Sequence, residues 1–296
     1  MGMPPYGYLC FLREEKTMRL LLAALLLTLP LLAHAHGDAH VFIQALDAQI
    51  RQDPGNAALY LKRGRQYLEA QHYQDARADL EHALALDPQL HGARYHLADT
   101  LHKAGLPAEA ETAARRFVQA VAPDQAGALA RGYWLLGDIL ATRGRHLEAG
   151  EIYRQALSHT AEPSPSQIQA YAEAYLEAEP PQPDAALAVI DQGLARLGPL
   201  DTLLEMAVDI ELKRGRTDPA LQRLDTLIAQ GRRLPYLHLR KARALAEAGR
   251  VEPASAALAE ARKALTQAHR PGRGQQALVG EMDALAAKLA TSGGGR

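Results

Sequence analysis

Apolar residues in this chain recur at the period of an α-helix. After residue 40 they fill one face of a helix-length segment, and Asp53, Pro54 and Gly55 follow it, a combination that favours a turn. The apolar positions of this segment are Val41, Phe42, Ala45, Leu46, Ala48 and Ile50. The pattern predicts one amphipathic helix that ends near Gln52.

Residues 57–88 add a second regularity, in which large and small side chains occupy fixed places. The large residues are Tyr60, Tyr67 and Leu80, and the small ones are Gly64, Ala76 and Ala83. Small residues allow two antiparallel helices to approach closely, and large residues fill the space that remains between them. Pro88 cannot continue a helix. The segment therefore predicts a helical hairpin that ends at Pro88.

The same pattern of large and small residues returns along the chain up to residue 268. An insertion around residues 123–128 precedes the third copy, and the Pro-Pro-Gln-Pro sequence at 180–183 replaces the turn of the fourth. Glycine ends the first helix of several copies, where it can adopt the left-handed conformation. The later copies begin at His91, Ala130, Gln167, Asp201 and Pro235, and glycine followed by arginine marks the turn at Gly144, Gly215 and Gly249.

This arrangement resembles the tetratricopeptide repeat, a helical hairpin of about 34 residues. The resemblance covers residues 57–268 and is strongest in the first three copies. It implies an all-α fold, a right-handed superhelical α-solenoid of about six hairpins with a capping helix at each end. Such end helices cover the apolar face that a terminal repeat would otherwise expose. An irregular helical bundle is the alternative for residues 164–290.

The first 35 residues have the features of a secretory signal. Met18 and Arg19 precede a short apolar run that is broken by Pro30, and the run ends in Ala33-His34-Ala35, a small-x-small cleavage site. We therefore expect translation to start at Met18, cleavage after Ala35, and a periplasmic or secreted protein. An uncleaved N-terminal membrane anchor is the alternative, although the run is shorter than the roughly 20 apolar residues of a span.

These patterns together predict five segments. Residues 1–35 are the leader and signal, and residues 36–56 are a histidine-containing tail with a capping helix. Residues 57–162 hold repeats one to three, and residues 163–268 hold the degenerate repeats four to six. Residues 269–296 contain a last capping helix, expected at Gln276–Ala290, and a disordered tail.

Composition and charge exclude several classes of function. The formal net charge is −1, so no overall field attracts nucleic acid or an anionic membrane. The single cysteine, Cys10, lies before the predicted cleavage site, so the mature chain would contain no thiol nucleophile and no disulfide. The sequence contains no H-E-x-x-H, phosphate-loop or G-x-S-x-G motif. We predict a protein that is not an enzyme and needs no cofactor.

Histidines near the predicted cleavage site suggest one low-ranking metal site. Cleavage after Ala35 would leave His36, Asp38 and His40 beside a free amine, and imidazoles bind Zn²⁺ and Cu²⁺. A polar tail with Asp38 as the N-cap of the first helix is the simpler interpretation. A periplasmic metal-handling protein remains an alternative function.

The resemblance also implies where a partner would bind. In tetratricopeptide arrays the first helices of the hairpins line a concave groove that holds a peptide or protein segment. The matching residues here are Arg65, Tyr95, Asp99, His102, Lys103, Arg131, Trp134, Asp138, Tyr171, Tyr175, Asp209, Tyr236 and Arg243. Trp134 is either a binding anchor or a packing residue, because its neighbour Tyr133 occupies the expected core position.

The predicted function is therefore a scaffold that binds a protein or peptide partner in assembly of an envelope or secretion complex. A regulatory or substrate-presenting subunit of an enzyme complex is an alternative. We expect neither nucleic-acid binding nor stable membrane insertion after signal cleavage.

Overall fold

The structure is a computed structural model that describes residues 40–267 and 275–293, and in those residues all regular secondary structure is helical. The predicted signal, residues 1–35, and the candidate ligands His36 and Asp38 lie outside the described residues. The helices are α1 (40–52), α2 (Ala57–Glu69), α3 (Tyr73–Leu86), α4 (His91–Lys103), α5 (Pro107–Ala120), α6 (Ala126–Thr142), α7 (His146–Ser158), α8 (Pro165–Glu177), α9 (Pro183–Leu197), α10 (Asp201–Lys213), α11 (Thr217–Ala229), α12 (Leu234–Glu247), α13 (Val251–Gln267) and α14 (Gln275–Gly293).

These helices belong to two compact units. Unit 1 is Met1–Ile139, and unit 2 is Leu140–Arg296, so that α6 spans the boundary. In unit 1, α2 pairs with α3 and α4 with α5, and in unit 2 the pairs are α8/α9, α10/α11 and α12/α13. Each pair is one of the hairpins that the repeats predict. The predicted all-α class of helical hairpins is confirmed.

Close helix packing explains the small residues of the first hairpin. A Cβ atom on Gly64 of α2 would lie 3.0 Å from the Leu80 Cγ of α3 and 3.3 Å from the Ala76 carbonyl oxygen. Leu80, Ala76 and Ala83 are completely buried. The two helices therefore meet with no space for a larger residue at position 64, as the sequence pattern predicts.

Residues in the left-handed backbone conformation end the first helix of several hairpins. Gly215 between α10 and α11 has a φ of 71°, and Gly249 between α12 and α13 has a φ of 72°. The next N–H group, that of Arg216, then donates to the Glu211 carbonyl at 2.8 Å and closes the end of α10. Gln71 takes this conformation in the first hairpin, with a φ of 62°.

The last helix covers the end of unit 2. Met282, Leu285 and Leu289 of α14 are buried in one cluster with Leu239 of α12 and Leu258 of α13. The prediction of a helix at Gln276–Ala290 is confirmed, with an extension of one residue at the start and three at the end. The apolar face of the last hairpin is thereby removed from water.

The first helix contacts unit 1 through a buried isoleucine and an ion pair. Ile50 is buried, and Asp47 accepts a hydrogen bond at 2.6 Å from the Arg63 Nη1 of α2. The first turn of α1 is less covered, since Val41 and Phe42 are 65% and 62% exposed. None of the described helices is both long and apolar enough to cross a lipid bilayer.

Helix α6 begins four residues earlier than the repeat pattern predicts. The third copy is expected to start at Ala130, but α6 begins at Ala126. Its first turn is closed by the Ala128 and Leu129 N–H groups, which donate to the Gln125 carbonyl at 2.9 and 3.0 Å. After Pro123 the insertion contains no further proline, so part of it extends α6 despite Gly127.

Candidate functional site

In unit 1 the first helices of successive hairpins bring predicted partner-binding residues together. The Arg131 Cζ of α6 lies 5.9 Å from the centre of the Tyr95 ring of α4. Burial raises the pKa of the Tyr95 phenol, the carboxylate of Asp99 adds to that rise, and the charge of Arg131 opposes it. We call the surface that carries Arg65, Tyr95, Asp99 and Arg131 the A face of unit 1.

His96 lies beside Tyr95, and its titration is influenced by Arg65 of α2. Burial lowers the pKa of His96 to about 4, and the charge of Arg65 is the next largest cause, with Arg131 and Lys103 contributing in the same direction. Asp99 acts in the opposite direction. The imidazole is therefore neutral near pH 7, and cations from three first helices contribute to its low pKa.

The Tyr95 side chain is held in place by the core of unit 1. Its ring meets that of Phe117 edge to face, with centroids 5.4 Å apart, and the His96 ring lies 5.3 Å away. Phe117 is itself buried with Val121 and Leu129. Tyr95 thus presents one part of a fixed aromatic ring to the surface and the other to the core.

The charged residues of the A face differ in how they are paired. Asp99 accepts a hydrogen bond from the Lys103 Nζ at 3.0 Å. Arg65 and Arg131 are exposed, and neither forms an ion pair with any residue that the structure describes. Two guanidinium groups are thus available to a partner, whereas Lys103 is already paired.

His102 and Asp138 complete the predicted set of unit 1. His102 is half-buried, and its Nδ1 atom is shielded from water without a hydrogen-bond partner in the described residues. Asp138 is exposed and already interacts with another group in the chain. Its charge contributes to the raised pKa of Tyr95. Both residues lie on first helices, as the repeat register requires.

The predicted tryptophan anchor is buried. Trp134 is 7% exposed in α6, so it has little surface to offer to a partner. It is surrounded along the helix by the buried residues Leu135, Leu136 and Ile139. This burial corresponds to the packing interpretation of Trp134, and the A face displays Tyr95 as its aromatic residue instead.

Two predicted groove tyrosines in unit 2 are also buried. Tyr171 and Tyr175 of α8 are 4% and 8% exposed, with ring centroids 5.4 Å apart. The ring of Tyr175 fills the space beside Gly150, where an added Cβ would be 3.0 Å from it, and its hydroxyl donates to the Glu151 Oε1 at 3.3 Å. The missing side chain at position 150 admits the ring, so these tyrosines mainly pack α7 against α8.

The remaining predicted residues of unit 2 are engaged in contacts within the unit. Asp209 accepts from Arg240, and the Arg243 Nη2 donates to the Glu281 Oε2 at 2.7 Å. Tyr236 lies under Arg233, whose Cζ is 4.6 Å from the ring centre. Asp209 and Arg243 are therefore already paired within unit 2, and Arg233 covers the Tyr236 ring.

Sequence reasoning did not assign a site role to His96. This residue follows Tyr95 directly and precedes Asp99 by one helical turn. No group of three or more potential metal ligands occurs within residues 40–267 and 275–293. Of the candidate metal ligands, His40 alone is described, and it is exposed at the start of α1.

Comparison with known proteins identifies the repeats. Two family models described as tetratricopeptide repeat match residues 61–126 and 130–159. No curated protein sequence matches the chain. Matches among solved structures number 295 chains.

Two of those structures share the fold at low sequence identity. The structure of Naa15/Naa10 bound to HypK-THB aligns with a TM-score of 0.54 and 17% identity, over 79% of this chain and 34% of that one. The MamA RS-1 ArsTM double mutant aligns with a TM-score of 0.50 and 12% identity, over 60% and 95% of the two chains. A tetratricopeptide repeat protein from Parabacteroides merdae ATCC 43184 aligns with a TM-score of 0.49 and 15% identity, over 83% of this chain and 93% of that one.

Proposed function

The chain is a tetratricopeptide repeat protein, and on that premise we propose that it is a non-catalytic scaffold that binds an extended segment of a protein partner on the A face of unit 1. The observation that carries this proposal is the pair of exposed guanidinium groups, Arg65 and Arg131, that have no ion-pair partner among the described residues. Arginine and tyrosine are, with tryptophan, the residue types most enriched among the residues that dominate binding at protein interfaces.

The geometry of the A face supports recognition of a peptide. Its side chains project from helices α2, α4 and α6, which are rigid supports, and the Tyr95 ring is held by Phe117. Little conformational entropy would be lost when a partner binds such a pre-formed surface. A peptide that crosses the three helices would meet an aromatic ring, donors and one carboxylate in turn.

A role in the cell envelope is part of the same proposal. The apolar run after Arg19 and the Ala33-His34-Ala35 site support export to the periplasm or secretion. In that compartment the scaffold would hold a partner during assembly of an envelope or secretion complex. A fold alone does not determine such a role, so the proposal depends on identification of the partner.

Site-specific photo-crosslinking in the native host tests this function. A photoreactive amino acid is introduced at His102 or Lys103 on the A face, and at Glu81 or Arg116 on the second helices α3 and α5 as controls. We expect the A-face positions to capture one envelope protein that the control positions do not. Capture only from the control positions, or a captured protein that is cytoplasmic, would overturn the proposal.

A further inference from the structure

We propose that a cavity in unit 2, between the turn that precedes α7 and the turn that precedes α9, binds an arginine side chain of a protein partner. The cavity has a volume of about 760 Å³ and is lined by residues 144–148 with Glu151, Glu177 and Glu179. The inference goes beyond the proposed function, because all of these residues belong to unit 2 and none to the A face of unit 1.

Carboxylates dominate the lining of this cavity. The four are Glu148, Glu151, Glu177 and Glu179. Arg145 is the single arginine or lysine among the lining residues, and it donates to Glu148. The His146 Nδ1 lies 3.3 Å from the Glu177 Oε2. Glu179 is exposed and forms no ion pair with any residue that the structure describes. The lining therefore carries more negative than positive charge.

The carboxylate of Glu151 is held in place from the core of unit 2. Tyr175 is 8% exposed, and its hydroxyl donates to the Glu151 Oε1 at 3.3 Å. The Tyr171 hydroxyl is in turn hydrogen-bonded to that of Tyr175. A buried pair of tyrosines thus orients one wall of the cavity before any ligand arrives, which reduces the entropy lost on binding.

Arginine bridges the two following junctions of unit 2, where the turn inside one hairpin faces the next. Arg216, which precedes α11, donates from Nη1 at 3.0 Å to the Oδ1 of Asp184, the second residue of α9. Arg250, which precedes α13, donates from Nη2 at 3.0 Å to the Oδ2 of Asp218, the second residue of α11. Both members of the second pair lie 34 residues after those of the first. The bridge is thus a feature of the repeat.

The acidic cavity lies at the preceding junction, where both members of the bridge are replaced. Leu147 is the second residue of α7, so it takes the place of the aspartates, and it is 51% exposed. Glu179 lies in the turn before α9 and takes the place of the arginines. The cavity at a later junction is lined by Asp218 and Arg250 as this one is lined by Leu147 and Glu179. The chain therefore supplies a carboxylate where its other junctions supply a guanidinium, and a partner can provide the guanidinium instead.

The lining favours arginine over lysine. A guanidinium presents several N–H donors in a planar fork, so it can contact two carboxylates at once. The ammonium group of lysine is compact and more strongly hydrated, and it cannot donate in this manner. The exposed side chain of Leu147 would contact an apolar residue beside the arginine. The partner segment is therefore one in which an apolar residue adjoins an arginine.

An NMR titration of the full mature chain tests the inference. The probes are acetylated and amidated peptides of sequence Gly-Leu-X-Gly, in which X is arginine, citrulline or lysine. Citrulline keeps the shape of the arginine side chain without its charge. We expect the arginine peptide to bind at least about tenfold more tightly than the citrulline peptide, since a charge-assisted contact is worth at least that factor. The lysine peptide should bind more weakly than the arginine peptide, and the amide resonances of Leu147 and Glu179 should shift.

Variants assign the binding to the cavity. Glu179→Gln should weaken binding of the arginine peptide by at least about fivefold. The matched control Glu252→Gln removes an exposed carboxylate at the second residue of α13 and should leave affinity within about twofold. Leu147→Asp/Glu179→Arg installs the bridge of the other junctions and should abolish binding, because an arginine of the chain would then fill the cavity. Circular dichroism checks that every variant is folded.

The outcomes separate this inference from the proposed function. Equal affinity for the arginine and citrulline peptides, or unchanged affinity in Glu179→Gln, would overturn the inference. Absence of binding by the arginine peptide would also overturn it, and photo-crosslinking of a partner from the A face of unit 1 would then still support the function. Binding of Zn²⁺ that Glu179→Gln loses, without binding of the arginine peptide, would assign the carboxylates to a metal ion and overturn the inference.

Discussion

The guanidinium group of Arg131 lies against the ring of Tyr95, with its Cζ atom 5.9 Å from the ring centre. The contact joins α6 to α4 and places a cation beside a phenol whose pKa burial already raises. It therefore has two measurable properties, a cation–π attraction and an electrostatic influence on the tyrosine. Both can be tested without knowledge of a partner.

Neutralisation of Arg131 should change the titration of Tyr95. The arginine charge favours the tyrosinate, so Arg131→Gln is expected to raise the pKa of Tyr95 further, whereas Arg131→Lys should leave it nearly unchanged. A pH titration followed by NMR of ring-labelled tyrosine measures the change. An unchanged pKa in Arg131→Gln would show that the two side chains are not neighbours in solution.

His96 should make unit 1 less stable in mild acid. Its pKa is about 4 in the folded protein and near 6.5 in the unfolded chain, so the unfolded chain binds more protons between these values. The free energy of unfolding is expected to fall as the pH decreases from about 6.5 to about 4. Urea unfolding of wild type and His96→Gln at pH 7 and pH 5 isolates the contribution of His96 to this pH dependence, because all other groups titrate in both proteins. The decrease in the free energy of unfolding from pH 7 to pH 5 should be smaller in His96→Gln than in wild type.

Arg65 should contribute measurably to that low pKa. Since its charge opposes protonation of His96, Arg65→Gln is expected to raise the pKa of His96 from about 4 toward 6.5. The imidazole resonances of labelled histidine report the value directly. Arg51→Gln, an equal change of charge on α1, serves as control and should leave the pKa of His96 unchanged. A similar shift in both variants would indicate a general effect of net charge.

Substitution of Gly64 should test the close approach of α2 and α3. An alanine Cβ would lie 3.0 Å from the Leu80 Cγ and 3.3 Å from the Ala76 carbonyl oxygen, and backbone cannot move aside easily. We expect Gly64→Ala to reduce the free energy of unfolding by about 1 to 2 kcal/mol, because overpacking outweighs the gain in helix propensity. At Gly127, the second residue of α6, an added Cβ would meet no atom within 4 Å. Gly127→Ala should therefore leave the free energy of unfolding unchanged or raise it by up to about 0.5 kcal/mol. Chemical denaturation measures both.

Removal of Arg63 should be costly because it would leave a buried carboxylate alone. Asp79 is 6% exposed, and its carboxylate receives hydrogen bonds at 2.7 and 2.6 Å from Arg63. Arg63→Met keeps the aliphatic stem but removes the charge, so we expect a loss of about 3 kcal/mol in the free energy of unfolding. The matched variant Arg77→Met breaks an exposed pair with Glu81 and should change stability by no more than about 0.5 kcal/mol. Equal effects of the two changes would contradict this account.

The hairpins could be predicted from sequence because their signals are local. Gly64, Ala76 and Ala83 mark close packing, and Gly215 and Gly249 mark the turns, so each helix follows from residues within one repeat. The degenerate fourth copy was also located, since Pro183 is the first residue of α9. The start of α6 was placed too late because the insertion before it has no clear helix-start signal.

The candidate site could be predicted only in part because burial and pairing depend on distant residues. Arg65, Tyr95 and Asp99 follow from the register of the repeats. The burial of Tyr175 depends on the absence of a side chain at Gly150 of the preceding helix, and the pairing of Arg243 depends on Glu281 of α14. The low pKa of His96 depends partly on the charges of Arg65 and Arg131, which belong to other hairpins.

The closing helix α14 also determines how this architecture could be lengthened. Met282, Leu285 and Leu289 seal the face on which a further hairpin would have to stack. A designer who wished to add a repeat would therefore insert it before α14, and the new unit would have to offer the same apolar surface that α12 and α13 present. Growth of such an array by internal duplication, with the last helix carried along unchanged, would preserve solubility at every stage.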